Sequence, residues 1–376
     1  MTVNDIKIIG DRLSENIERV IIGKTEEIRL ILAALLAGGH VLLEDVPGTG
    51  KTILAKALAR SVDIGFRRVQ FTPDLLPSEL TGLNVYSPKT GEFNFRQGSL
   101  FTNILLADEI NRASPRTQSG LLESMEERQV SVDGRTYALP SPYFVIATQN
   151  PVETQGTFPL PEAQLDRFLV QLKLGYPDEN ETIDVMRRYV FNSAGGNKTM
   201  SGNGVQSGGG AGGGNNTESV NNAGDGSGVR VGGNAGNEGS EPAGNGDPSS
   251  PLDAMKPVCG EGDMLVAINA VRGVFIHDEI YRYIVRLAEA TRAHEAVALG
   301  VSTRGCLALA RIAQAYVGLS GRAFATPDDI KALAPAVFSH RLILRGGRQS
   351  FQSKKVLDDV LGAVEPPVEA WPPGTK

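Results

Sequence analysis

Eight consecutive residues, Asp45-Val46-Pro47-Gly48-Thr49-Gly50-Lys51-Thr52, have the types and spacing to hold a chain of phosphates. Pro47, Gly48, Thr49 and Gly50 form a loop whose backbone N–H groups can close around phosphate oxygens, the two glycines permitting the close approach. The helix that opens at Lys51 adds the positive end of its dipole, Lys51 reaches the β and γ phosphates, and Thr52 offers a hydroxyl to Mg²⁺. Asp45 stands where the general pattern has its first glycine, a position that supports the turn rather than the triphosphate. Further on, the apolar run Leu105-Leu106-Ala107 delivers two carboxylates at its end, Asp108 and Glu109. Asp108 is placed to hold Mg²⁺ through its water shell. Glu109 is the natural base to orient an attacking water, because phosphoryl transfer is mostly positioning and charge stabilisation. An acidic pair at a strand end is by itself more often a helix cap, but downstream of a phosphate loop it points to nucleotide hydrolysis.

Three more side chains enter through their positions. Asn150 closes the run Ala147-Thr148-Gln149-Asn150, beside Glu109 on a neighbouring strand, where it can hydrogen-bond the lytic water or the γ-phosphate. Alone it reads as a turn residue before Pro151. Arg167, in Leu165-Asp166-Arg167-Phe168, and Arg304, in Val301-Ser302-Thr303-Arg304, read singly as solvated or ion-paired surface arginines. The four histidines, His40, His277, His294 and His340, are scattered and read as buried or capping residues rather than ligands.

The elements that must position these groups follow from the hydrophobic pattern. Apolar residues recur at helical spacing from Ser14 to Ala37, interrupted at Ile21-Ile22-Gly23-Lys24, before a short buried strand at His40 to Glu44. The runs at Asn103 to Glu109 and Tyr143 to Thr148 have the unbroken hydrophobicity of strands covered on both faces. Helical patterns at Lys51 to Val62 and Pro115 to Glu127 lie between them, which predicts a doubly wound α/β domain with its site at the strand C-terminal ends. Two hairpins interrupt it, Asn84 to Arg96 and Gln129 to Leu139, the second turning at Asp133-Gly134. From Ser193 to Ser250 the chain is Gly, Asn and Ser with almost no large apolar residue, and a disordered linker is expected. A free coil of that length spans on the order of 40 Å. Helices are predicted at Asp263 to Val271, Asp278 to Ala293, Arg304 to Leu319 and Pro327 to Phe338, then a short strand after His340, a helix around Lys355 to Val364 and a fraying tail from 368.

Taken together, Glu44 to Thr52, Ala107 to Ala113, Leu122 to Gln129, Ala147 to Pro151 and Glu162 to Phe168 resemble the MoxR family of AAA+ ATPases. The resemblance covers nearly the whole chain outside the Gly/Asn/Ser segment, and the Asp45 type of loop also occurs in that family. It implies an α/β nucleotide-binding domain over 1–192, a helical lid over 251–367 and ATP in the cleft between them. It further implies that Asn150 is sensor 1, that Arg167 is the arginine finger reaching a neighbour's γ-phosphate and that Arg304 is the lid's sensor 2. Ile22 and Gly23 would lie near adenine. The hairpins become working surfaces, the assembly a hexameric ring, and the clients proteins, often with von Willebrand factor A domains and metal sites. The Gly/Asn/Ser segment departs from the family pattern as an insertion between the two domains.

Whole-chain properties agree. With 376 residues, 41% hydrophobic, the chain can fill two or three domains, and its net charge of -6 gives no reason to expect a nucleic-acid or membrane surface. Two cysteines, Cys259 and Cys306, lack metal-ligand spacing and read as structural thiols in a reducing interior. No apolar run approaches the roughly 20 residues of a membrane span, and a cytoplasmic location is expected. A nucleic-acid motor on the same fold, a nucleotide-gated scaffold with negligible hydrolysis and, remotely, a small-molecule kinase stand beside the protein-remodelling ATPase as alternatives.

Overall fold

The structure, a computed structural model, describes residues 2–46, 48–150, 156–193, 251–346 and 350–367. The Gly/Asn/Ser segment at 194–250 and the tail from 368 therefore lie outside the described residues, as does Pro47. Helix α1 (Val3–Glu18) starts on a reciprocal cap: the Asp5 N–H donates to the Thr2 hydroxyl and the Thr2 N–H donates to the Asp5 carboxylate. Then come α2 (Thr25–Leu36), β1 (Val41–Glu44), α3 (Lys51–Val62), β2 (Phe66–Gln70) and α4 (Pro77–Thr81). The β3 (Gly82–Ser87) and β4 (Glu92–Gln97) hairpin follows, and β5 (Ile104–Asp108) leads into α5 (Pro115–Glu127). A second hairpin, β6 (Gln129–Val132) and β7 (Arg135–Ala138), precedes β8 (Phe144–Gln149), α6 (Glu162–Leu165), β9 (Val170–Leu172) and α7 (Glu179–Ser193).

Five parallel strands make the sheet, in the order β2-β5-β8-β1-β9. The three central strands are the apolar runs of the sequence, and every residue of β5 is buried. In-register pairing aligns the strand ends, Gln70 against Asp108 and Glu44 against Gln149, so the polar residues that end each strand gather along one edge. The Asp133-Gly134 turn has positive φ at both residues, 50° and 76°, as a type I′ hairpin requires. The two hairpins are joined: Asn84 donates to the Asp133 carboxylate at 2.6 Å, and the rings of Phe95 and Tyr137 stack with centroids 3.9 Å apart.

Beyond the insertion the chain forms α8 (Glu261–Val271), α9 (Asp278–Ala293), α10 (Thr303–Leu319), α11 (Pro327–Phe338) and α12 (Ser350–Ala363). A short antiparallel pair, β10 (Val297–Leu299) with β11 (Ile343–Leu344), interrupts the helices; the Val297 strand was not expected from the sequence. The helical half does not have a core of its own. Ile6, Leu32, Leu58, Val41, Leu309 and Val337 belong to one continuous buried cluster that joins α1, α2, α3 and one sheet face to the lid helices. Residues 251–260 are stitched onto the α/β half by Asn16, whose amide donates to the Lys256 carbonyl and to the Ser61 hydroxyl, both at 3.0 Å.

His40 is a buried structural residue. Its Nε2–H donates to the Met125 carbonyl and its Nδ1 accepts the Val145 N–H, both at 3.0 Å, which fixes the neutral tautomer. Burial, aided by the nearby Arg128 charge against the pull of the Met125 carbonyl, lowers its pKa to about 4. Because the folded pKa lies below the unfolded one, the stability it contributes is complete above about pH 6.5 and is lost as pH falls towards 4. The loss between pH 7 and 4.5 should be about 2–3 kcal/mol. Thermal unfolding across that range should show it, and a His40→Gln chain should show a correspondingly flatter dependence; an unchanged slope would contradict the assignment.

Candidate active site

Along the edge where the strands end lies an open pocket of roughly 410 Å³ lined by Gly48, Gly50, Lys51, Thr52, Ile53, Arg68, Gln70, Asp108, Glu109 and Asn150. Gly48 and Gly50 both have φ of 87°, a left-handed conformation that β-carbon-bearing residues rarely adopt, and no atom crowds the Gly48 position. The Lys51 ammonium caps the Asp45 and Val46 carbonyls at 3.1 and 3.2 Å, at the mouth of α3. The departure at Asp45 has a structural meaning. Its carboxylate accepts the Leu174 and Gly175 N–H groups at 3.1 and 3.0 Å and the Val46 N–H at 2.8 Å, tying the phosphate loop to the chain leaving β9.

The acidic pair is held from the two neighbouring strands, β2 and β8. Asp108 accepts the Thr148 hydroxyl at 2.6 Å on one oxygen and the Arg68 guanidinium at 2.7 Å on the other. Thr148 in turn accepts the Glu109 N–H at 2.9 Å. Glu109 sits in the left-handed region, φ 56°, an uncommon and strained conformation of the kind found at functional sites. That turn separates its carboxylate from that of Asp108; it accepts the Gln70 amide at 2.7 Å and Arg112 at 3.2 Å. Arg68, Gln70 and Thr148 went unnoticed in the sequence, although the β2–β5–β8 register puts Gln70 opposite Asp108 and Ala107 opposite Ala147, one residue before Thr148.

The oxygens present suit a magnesium ion. The Thr52 hydroxyl and one carboxylate, Asp108, face the same pocket, and Mg²⁺ at a triphosphate takes one or two protein oxygens plus phosphate and water. The Arg68 side chain on Asp108 is partly exposed.

Arg167 and Arg304 do not line this pocket. Both pair with the same carboxylate, Glu126 near the end of α5, Arg167 at 3.2 Å. Arg167 precedes β9, at the N-terminal end of the parallel strands, whereas the phosphate loop follows the C-terminal end of the neighbouring β1. The chain around it is gripped by Arg341 from the lid, a residue the sequence reading passed over inside a predicted short strand. Its side chain is 3% exposed, contacts Asp166 at 2.6 Å and donates to the Phe168 carbonyl at 2.7 Å. Ser302, the N-cap of α10, also donates to Asp166, at 3.3 Å. These contacts hold the start of α10 at the N-terminal end of the strands, and the residues that line the pocket all belong to the α/β half. Ile22 and Gly23, in the turn between α1 and α2, do not line it either; Gly23, φ 71°, backs onto the Glu181 carboxylate.

Comparison with known proteins agrees with this geometry. Residues 40–170 match the ATPase family associated with various cellular activities (AAA), and residues 289–361 match the AAA lid domain. The chain is 43% identical over 367 residues to the uncharacterized protein YeaC of Bacillus subtilis, covering 97% of each chain. It is 34% identical over 343 residues to Chaperone MoxR1 of Mycobacterium tuberculosis, covering 89% of this chain and 75% of that one. A crystal structure of a candidate ATPase from Cytophaga hutchinsonii superposes with a TM-score of 0.74 at 30% identity, over 97% of this chain and 98% of that one. Among the described residues no helix is long and apolar enough to cross a membrane. A phosphate loop and acidic strand end of this geometry, followed by a helical lid and matched over most of the chain by a MoxR chaperone, lead to one conclusion: the chain belongs to the MoxR family of AAA+ ATPases.

Proposed function

We propose that the protein hydrolyses ATP with Mg²⁺ in a head-to-tail hexameric ring and uses the cycle to remodel or mature partner proteins in the cytoplasm. The observation that carries this reading is a separation. Lys51, Thr52, Asp108, Glu109 and Asn150 gather at the C-terminal ends of the strands, while Arg167 and Arg304 meet at Glu126 at the other end. Such a subunit completes its site only against a neighbour, and heterologous contacts of that kind close as rings where the rotation closes and otherwise run on as filaments.

In the assembled site Lys51 and the loop amides hold the triphosphate, with Ile22 and Gly23 beside the adenine. Thr52 and Asp108 would hold Mg²⁺, which when bound offsets charge on the β and γ oxygens. Glu109, kept in place by Gln70, orients the water and takes its proton, and Asn150 aligns that water with the γ-phosphate. A neighbour's Arg167, joined by its Arg304, meets the charge that develops as the bond breaks. Because Arg304 lies on α10, the angle of the lid is read at the same boundary. The chaperone name of the Mycobacterium relative supports protein clients, with von Willebrand factor A domain proteins the class the family resemblance suggests. The exposed tip of the first hairpin, Tyr86 at 52% and Phe93 at 70%, gives such clients an apolar contact.

A titration with a fluorescent ATP analogue tests the first step. Lys51→Ala should weaken binding by about 100-fold, since it removes the one ammonium at the phosphates. Equal affinity in wild type and variant would remove the phosphate loop from the account.

A further inference from the structure

A second polar pocket, 480 Å³, lies at the opposite end of the sheet from the phosphate loop. Its walls are the end of α2 (Leu36 to Gly38), Arg128 at the end of α5, Val271 and Arg272 at the end of α8, and Arg311 with Gln314 on α10. Three guanidinium groups therefore converge on one space between the α/β half and the lid. Among the described residues, none of the three lies within ion-pair distance of a carboxylate. Glu126, two residues before Arg128, is already taken by Arg167 and Arg304. Arg128 makes its polar contact with a neutral group, donating to the Gly38 carbonyl at 2.7 Å.

Helix ends explain part of this arrangement. Arg128 and Arg272 are the C-caps of α5 and α8, where a cation meets the negative end of the helix dipole. Each helix end supplies only about half a charge, and Arg311 lies in the middle of α10 with no helix end to serve. An excess of positive charge remains. Its effect is visible on Arg128, whose pKa is lowered first by burial and then by repulsion from Arg272 and Arg311.

We propose that this pocket binds a small anion carrying two or more phosphate groups. Guanidinium forks match phosphate oxygens in pairs, and the volume falls within the range of small-molecule sites. Two of the walls are lid helices and two belong to the α/β half, so an occupant would bridge the halves. It would also brace α10, which carries Arg304, against α5, which carries Glu126. This site is separate from the nucleotide pocket and stands whether or not the latter hydrolyses ATP.

The test uses the full chain with its phosphate loop filled by excess Mg²⁺ and a non-hydrolysable ATP analogue, whose own binding is recorded first. Inorganic pyrophosphate is then titrated by calorimetry, with mass followed by light scattering. The expected result is one further site per subunit, weakened at least about 10-fold in Arg311→Gln and more in Arg272→Gln/Arg311→Gln. Arg311 is exposed on α10, so the single variant keeps the test valid should the double variant fold poorly. No pyrophosphate binding once the loop is filled, or binding untouched by Arg311→Gln, would overturn the proposal. So would arginine variants that change the assembled mass while the pyrophosphate affinity stays the same, because the pocket would then serve a neighbouring subunit's acid groups.

Discussion

Arg167→Ala is expected to lower kcat for ATP by about 10³-fold while leaving ATP affinity within a factor of about three, the signature of an arginine supplied to a neighbour's transition state. The residue does not line the nucleotide pocket and lies at the N-terminal end of the strands, away from its own phosphate loop, and so contributes little to nucleotide binding by its own subunit. What holds it there is substantial. Arg341, buried, grips Asp166 and the Phe168 carbonyl on either side of it, and Glu126 fixes its guanidinium. Mixing separates action between subunits from simple damage. A random mixture of Arg167→Ala with Glu109→Gln chains contains about a quarter of interfaces with both groups intact. Turnover should therefore reappear on mixing two nearly inactive preparations. Mixtures no more active than their components would contradict the trans assignment.

Glu109→Gln is the second large effect, a fall in kcat of about 10²–10³-fold with ATP binding preserved. The substitution keeps the size of the side chain and its contact with Gln70 but removes the base. Phosphate affinity resides in Lys51 and the loop amides, which it does not touch. Single-turnover measurement should show bound ATP persisting unhydrolysed. Retention of wild-type turnover would shift the base to another group and leave the strained turn at Glu109 without a function.

How much of this was legible in the sequence depended on burial. The three central strands, α3, α5, α9 and α11 were readable because each carries an uninterrupted apolar run or a complete helical stripe with its cap. The edge strands were not. In β2, Arg67 and Arg68 are exposed at the sheet margin and break the pattern, and β9 has three residues only. Helix α1 begins eleven residues before the periodicity noticed at Ser14, because its first turns mix apolar with charged residues and its start is set by the Thr2–Asp5 cap. The nucleotide pocket was legible since its residues sit at strand ends within two motifs. Arg68, Gln70 and Thr148 were hidden because register across the sheet, rather than spacing along the chain, brings them to Asp108 and Glu109. Arg341 was hidden for a similar reason: its partners lie more than 170 residues away in sequence. The meeting of Arg167 and Arg304 on Glu126 was likewise beyond any local pattern, since it depends on where the lid docks.

The most direct test of the central claim is steady-state ATP turnover with Mg²⁺ across a protein concentration series, with mass recorded by light scattering on the same samples. A site completed by a neighbour predicts turnover per subunit that rises together with assembly and levels off once the rings are formed. Turnover per subunit that is independent of assembly, or absent from the assembled protein, would contradict it.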